Sequence, residues 1–289
     1  MAAQTRPPEA WVVVDDGSTD ETPAILARLS EEIPFLVLCA TPPPLGAAVK
    51  DRLAAAADPR AFNRGLASVA WPTFTHIAKL DGDTELPARY FEVLLSRFAQ
   101  DSRLGIAGGV RTEHTVNGWR VERAPAGYHV PGALKCYTTA CLQEIGGVSE
   151  RLAWDTIDEV YARMRGYHTH AFGDLVAVHH RPWGSADGAL RGRLRHGRCA
   201  YIAHYPWAWV AARALLPQPA RPRAMSSLCF VAGYAQAAIR RTDRVDDDAF
   251  RRFMHAELRA RALTVAGPRR VAARVAARDP NAGAVNGHS

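Results

Sequence analysis

Two short apolar runs in this chain each stop on a pair of aspartates, and that pattern limits the fold more than anything else in the sequence. Trp11-Val12-Val13-Val14 runs into Asp15-Asp16-Gly17-Ser18-Thr19-Asp20, and Thr75-His76-Ile77-Ala78-Lys79-Leu80 runs into Asp81-Gly82-Asp83. β-Branched residues followed at once by small polar turn formers predict a strand, a turn and then a helix. Repeated along a chain, this gives an α/β sheet whose carboxylates gather at the carboxyl edge of the strands, where open sheets bind ligands. A third acidic group, Asp155 with Asp158 and Glu159, opens a predicted helix. Asp81 and Asp83 are one residue apart, close enough to share a hard divalent cation or to divide between a cation and a hydroxyl.

The rest of the chain fits one large α/β domain with an appendage. Thr22 and Pro23 predict a helix to about Ser30, Phe35–Cys39 a strand, 61–71 a helix, and Pro87 the start of another. Tyr90, Phe91, Leu94, Leu95 and Phe98 form a core stripe at helical spacing. Residues 106–111 read as a strand, Asn117-Gly118 as a hairpin turn, and Leu175–Val178 as a strand ending at His179-His180-Arg181-Pro182-Trp183. The proline-led, Ala-rich stretch 41–60 reads as a flexible loop. Two apolar segments, 200–216 and 225–239, read either as helices packed on the first domain or as a platform in a membrane interface, with Trp207 and Trp209 at headgroups. The last twenty or so residues read as a mobile tail. The domain organisation expected is therefore 1–190, a helical extension 191–265, and a tail 266–289.

The net charge of +7, carried mainly by arginines after residue 180, suits nucleotide diphosphates or anionic lipid, and no nucleic-acid-reading motif accompanies it. Five scattered cysteines, with no Cys-x-x-Cys pair, read as thiols in a reducing compartment rather than a zinc site. With no apolar leader and no run long enough to span a bilayer, a cytoplasmic location is expected, associated at most with the inner face of the membrane.

Taken in order, Val12–Asp20, Asn63-Arg64-Gly65-Leu66, Leu80–Asp83, Val130-Pro131-Gly132-Ala133 with Ile145-Gly146-Gly147, and the acidic helix before Gly166-Tyr167 resemble the family 2 glycosyltransferases of the GT-A fold, over roughly residues 3–185. The resemblance implies a GT-A, Rossmann-like mixed sheet flanked by helices, followed here by a C-terminal helical extension. It also implies an inverting, non-processive hexosyltransferase-like enzyme of polysaccharide biosynthesis, since the Gln-x-x-Arg-Trp signature of processive synthases is absent. The donor would be a nucleotide sugar, with a UDP-sugar as first choice, the acceptor a glycan or lipid-linked sugar, and the cofactor Mn2+ or Mg2+.

Site roles follow from the same resemblance. Asp15, Asp16, Ser18, Asn63, Arg64 and Asp81 would contact the nucleotide, although Asp15 and Asp16 also suit a turn that only bonds its own backbone. Asp83 would ligate the metal, with Asp81 as ribose or metal-water contact and His180 favoured over its neighbour to complete the shell. Gly132, Trp154 and Trp183 would line the acceptor side. Counting back eleven residues from Gly166 puts the base at Asp155, where Trp154 stands in place of the family's preceding carboxylate. Asp158 and Glu159 lie on the same helical face and are alternatives for the base. The family's first strand and most of its first helix have no counterpart, which the sequence explains either by a start placed too late or by a damaged, inactive product. An inactive nucleotide-sugar-binding protein is thus the competing reading. An aspartate-nucleophile phosphatase fits poorly, because Thr84 directly follows the second aspartate.

Overall fold

The computed structural model describes residues 1–40, 55–115, 118–121, 127–180, 188–216 and 223–276. Eight strands are present among these: β1 (Trp11–Asp15), β2 (Leu36–Ala40), β3 (His76–Leu80), β4 (Thr84–Glu85), β5 (Leu104–Thr115), β6 (Gly118–Val121), β7 (Leu134–Thr138) and β8 (His168–His179). The α-helices are α1 (Thr22–Glu32), α2 (Ala57–Ala67), α3 (Tyr90–Gln100), α4 (Thr139–Glu144), α5 (Trp154–Met164), α6 (Ala189–Ile202), α7 (Trp207–Leu215), α8 (Arg223–Ile239) and α9 (Asp248–Ala276).

The principal sheet has the order β3-β7-β5-β8-β4, with β6 hairpinned onto β5. It is mixed: β5 runs parallel to β8, while the β3–β7, β5–β7, β5–β6 and β4–β8 pairs are antiparallel. Thr115 pairs with Gly118, and Asn117 of the expected turn lies outside the described residues. Strands β1 and β2 form a separate parallel pair. Helix α2 spans the two sheets: a Cβ on Gly65 would lie 2.9 Å from Val14 of β1, while Phe62 and Leu66 pack against the cluster holding Ile77 of β3 and Tyr137 of β7.

One face of the main sheet is closed by α3. Its Tyr90, Phe91, Leu94 and Phe98 are buried against Leu104, Ala107, Leu134, Cys136, Leu175 and Ala177, as the helical stripe predicts. Close strand approach at the centre of β5 requires glycine. A Cβ at Gly108 would sit 2.0 Å from the Leu134 carbonyl oxygen, and one at Gly109 2.1 Å from that of Leu175. The Gly109 N–H leaves the ladder at a register shift and donates to Tyr90 Oη at 2.8 Å. The opposite face buries Ile106, Val130, Tyr137, Leu142 and Trp154.

The C-terminal extension packs as helices on the first domain. Arg163 of α5 grips Glu257 of α9 through two bonds of 2.7 and 3.1 Å, and Ile157 and Val160 of α5 meet Phe250 and Met254 of α9. Helices α6 and α8 cross at backbone contact distance, since a Cβ at Gly197 would lie 2.0 Å from the Phe230 carbonyl oxygen and one at Gly233 1.9 Å from that of Leu194.

Several expected bounds change. The segment 200–216 is not one helix: α6 ends at Ile202, His204 takes a left-handed φ of 61°, and Pro206, which cannot continue a helix, caps α7. The helix expected over 61–71 begins and ends four residues earlier, and α9 continues to Ala276 through what reads as tail. Trp209 is packed on Tyr205 at 4.3 Å between ring centroids, whereas Trp207 is 53% exposed. No helix among the described residues is long and apolar enough to cross a membrane.

Candidate active site

The aspartates expected at the sheet edge meet one another through a buried charged floor. Along β3, side chains alternate, so Ile77 and Lys79 share a face, and Asp81 just beyond the strand continues it. That face looks toward α2 and α5. Lys79, 6% exposed, donates to Asp81 Oδ1 and lies 3.4 Å from Asp58 Oδ2 at the start of α2. Burial works against the Lys79 charge, but Asp81 and Asp58 outweigh it and raise its pKa.

Directly opposite Lys79 in the antiparallel register is Lys135 of β7, which is fully buried. Its ammonium donates to both oxygens of Asp158 at 2.8 and 3.0 Å and to the Asp155 main-chain carbonyl at 2.5 Å, and it lies 3.1 Å from Glu159 Oε1. Two lysines facing each other repel. The Trp154 ring lies near both, 5.4 Å from each ammonium, in the geometry of a cation–π contact.

These contacts separate the three acidic residues of α5. Asp158 and Glu159 are 2% and 1% exposed and are taken up by the interior. Asp158 also accepts from Tyr137 Oη at 2.5 Å, while Glu159 accepts the Val130 N–H at 2.8 Å and meets His129 at 3.1 Å. Burial disfavours the Glu159 carboxylate, yet Lys135 and His129 hold its pKa well below the usual range. Neither is placed to reach an acceptor hydroxyl, because every carboxylate oxygen of both already faces a protein partner. Asp155, one turn earlier, is only half-buried. Ala153 launches the helix from a left-handed φ of 68°, and its carbonyl takes the N–H groups of both Thr156 and Ile157.

The loop before β7 adjoins this helix start. A Cβ on Gly132 would lie 3.0 Å from the Trp154 ring and 3.6 Å from Asp155 Cβ, and the Asp81 N–H donates to the carbonyl of neighbouring Ala133 at 3.3 Å. Gly132 is therefore beside Asp155. Trp154, expected to line the acceptor side, is 8% exposed and its ring is occupied by Gly132 and two lysines.

At the carboxyl end of β8, on the same edge, pairing of Thr84 with His179 brings His179 Nε2 to 3.3 Å from Asp83 Oδ1. His180 points elsewhere, meeting Glu85 Oε2 at 2.9 Å, and only its main-chain N–H reaches Asp83. The alternation of β8 thus puts the earlier histidine, not His180, in the place expected for a metal ligand. Arg181 and Trp183 lie outside the described residues. No group of three or more His, Cys, Asp or Glu able to hold a metal occurs among the described residues. A carboxylate such as that of Asp83 is the kind of ligand Mn2+ or Mg2+ takes, since such ions commonly use one or two protein carboxylates and fill the shell with water and substrate phosphates.

On the separate β1–β2 pair, Asp15 Oδ1 accepts the Ser18 N–H at 2.9 Å, and bonds from Ser18 lower its pKa. The Asn63 amide donates to the Val148 carbonyl at 2.8 Å and to Glu150 at 3.2 Å, so it ties α2 to the loop before α5. Arg64 is exposed.

Residues 1–141 match the family model described as Glycosyl transferase family 2. No curated protein sequence matches the chain. Among solved structures, similarity extends to a mannosyltransferase, PcManGT from Pyrobaculum calidifontis in complex with GDP-Man and Mn2+, at 18% identity and TM-score 0.50, covering 92% of this chain and 74% of that one. GalNAc-T7 with UDP, GalNAc and Mn2+ is similar at 12% identity and TM-score 0.51, with 86% of this chain and 51% of that chain covered. At these identities the likeness concerns the fold, which is GT-A. The family match ends before α5, so the place of Asp155 rests on geometry.

Proposed function

We propose, taking residues 1–141 as a glycosyltransferase family 2 domain, that this chain moves a sugar from a nucleoside diphosphate donor to a hydroxyl acceptor with inversion at the sugar carbon. One observation carries the reading: Lys79, Trp154 and Lys135 run in contact from Asp81 to the Asp155 main-chain carbonyl, and Asp83, two residues after Asp81, faces His179.

Asp155 accepts the proton of the acceptor hydroxyl as its oxygen bonds to the sugar carbon and the bond to the diphosphate breaks. A helix N-terminus favours the negative charge such a base carries. Gly132, packed on the Trp154 ring beside Asp155, would line the acceptor side. Asp83 and His179 would hold a divalent cation, which supplies charge neutralisation for the departing diphosphate. Asp81, Asp15, Asp16, Ser18 and Arg64 serve the nucleotide. Both structural neighbours carry a nucleotide or nucleotide sugar with Mn2+, which supports the same donor class here. The acceptor class is a glycan or lipid-linked sugar.

A panel of nucleotide sugars incubated with the chain and Mn2+ tests this, since slow donor hydrolysis needs no known acceptor. Release of nucleoside diphosphate from one donor, abolished by EDTA, is expected. A second reading draws on Trp154, which fills a position where the family carries a carboxylate. An inactive nucleotide-sugar-binding protein would bind a donor from the panel and release nothing.

A further inference from the structure

The two aspartates of Asp81-Gly82-Asp83 have unlike surroundings. Asp81 is bonded to Lys79, a buried ammonium whose second anionic neighbour is Asp58 at 3.4 Å. Asp83 instead faces the imidazole of His179 at 3.3 Å, a metal ligand in its own right. Among the described residues, Lys79 pairs with Asp81 and Asp58. Asp158 and Glu159, beyond Trp154, are held by Lys135, and Lys135 itself, opposite in the register, repels Lys79. A buried ammonium that loses a carboxylate is costly, so Asp81 is retained on the lysine when a cation approaches.

We propose that Lys79 is a positioning residue that, braced by Asp58, holds Asp81 out of the metal shell and keeps it for the donor nucleotide, leaving the divalent cation to Asp83 and His179. This rests on the transferase reading above. It gives the Asp-x-Asp pair a division of labour set by the strand residue two positions earlier, through the alternation that puts Lys79 and Asp81 on one face. It also gives Asp58 a role, that of keeping the ammonium in place from the α2 side.

Mn2+ binding to the full chain tests the proposal without turnover. Mn2+ is titrated alone and with UDP or GDP, and bound metal is read by electron paramagnetic resonance. In the wild-type background, Asp83→Asn is expected to weaken binding about tenfold or more, the scale of losing a ligand or its supporting partner, whereas Asp81→Asn changes it by less than about twofold. Lys79→Met should tighten binding about tenfold by releasing a second carboxylate, and Lys79→Met/Asp81→Asn should return it to the wild-type value. Equal weakening by Asp81→Asn and Asp83→Asn would overturn the proposal, as would Lys79→Met binding Mn2+ like the wild type. If Lys79→Met does not fold, the comparison of the two aspartate variants decides alone. Absence of Mn2+ binding by the wild type under all three conditions also overturns it. The transferase reading fails on a different result, no release of nucleoside diphosphate from any donor.

Discussion

Asp155→Asn is expected to lower turnover by about 10²-fold or more, the scale of losing a general base, with donor KM nearly unchanged. Asparagine keeps the size of the side chain and loses only its ability to take a proton. The bond that anchors this helix start runs from Lys135 to the main-chain carbonyl of Asp155 and survives the substitution. Steady-state kinetics together with thermal unfolding check this. Asp158→Asn serves as the contrast, because Asp158 is spent on Lys135 and Tyr137 and its loss should appear in stability. A turnover loss in Asp158→Asn at unchanged unfolding temperature, with Asp155→Asn active, would move the base one turn along the helix.

Lys135→Met should destabilise the fold by about 3–5 kcal/mol, the usual cost of breaking a buried ion pair from one side. Methionine fills similar space, so the effect isolates charge. Without the ammonium, Asp158 and Glu159 are left adjacent inside the protein, with Tyr137 and the Glu159 N–H on Asp158 and the Val130 N–H, His129 and the more distant Arg163 on Glu159. Urea unfolding at neutral pH measures the loss. Lys135→Met/Asp158→Asn should recover part of it, since the two residues act on one interaction. An unchanged midpoint in Lys135→Met would mean that the buried floor does not hold α5 to β7.

The strands ending at Asp15 and Asp81, the α3 stripe and the β5–β6 hairpin were legible because each is a local pattern of period two, period 3.6 or turn chemistry. The residues between the aspartates were not. Lys79 stood in a predicted strand with nothing local to say that both sides of it are covered, and no strand was predicted where β7 carries Lys135. Alternation did offer a signal: Ile77, Lys79 and Asp81 must share a face, so a lysine there adjoins the aspartate. Asp158 and Glu159 looked equivalent to Asp155 because helical spacing puts them on one side of α5, and only the position of β7 shows that this side is buried from Ile157 onward. The choice between His179 and His180 depended on the β4–β8 register, a long-range pairing. Pro206 stands in the sequence as a residue that cannot continue a helix, within the apolar segment 200–216.

The account turns on Asp83 as the protein's hold on the cation that neutralises the leaving diphosphate. The most direct test compares wild type and Asp83→Asn side by side, measuring Mn2+-dependent release of nucleoside diphosphate from the active donor, with unfolding temperature as control. The account predicts that Asp83→Asn folds like the wild type and loses Mn2+-dependent release. Equal release by the two proteins would contradict it.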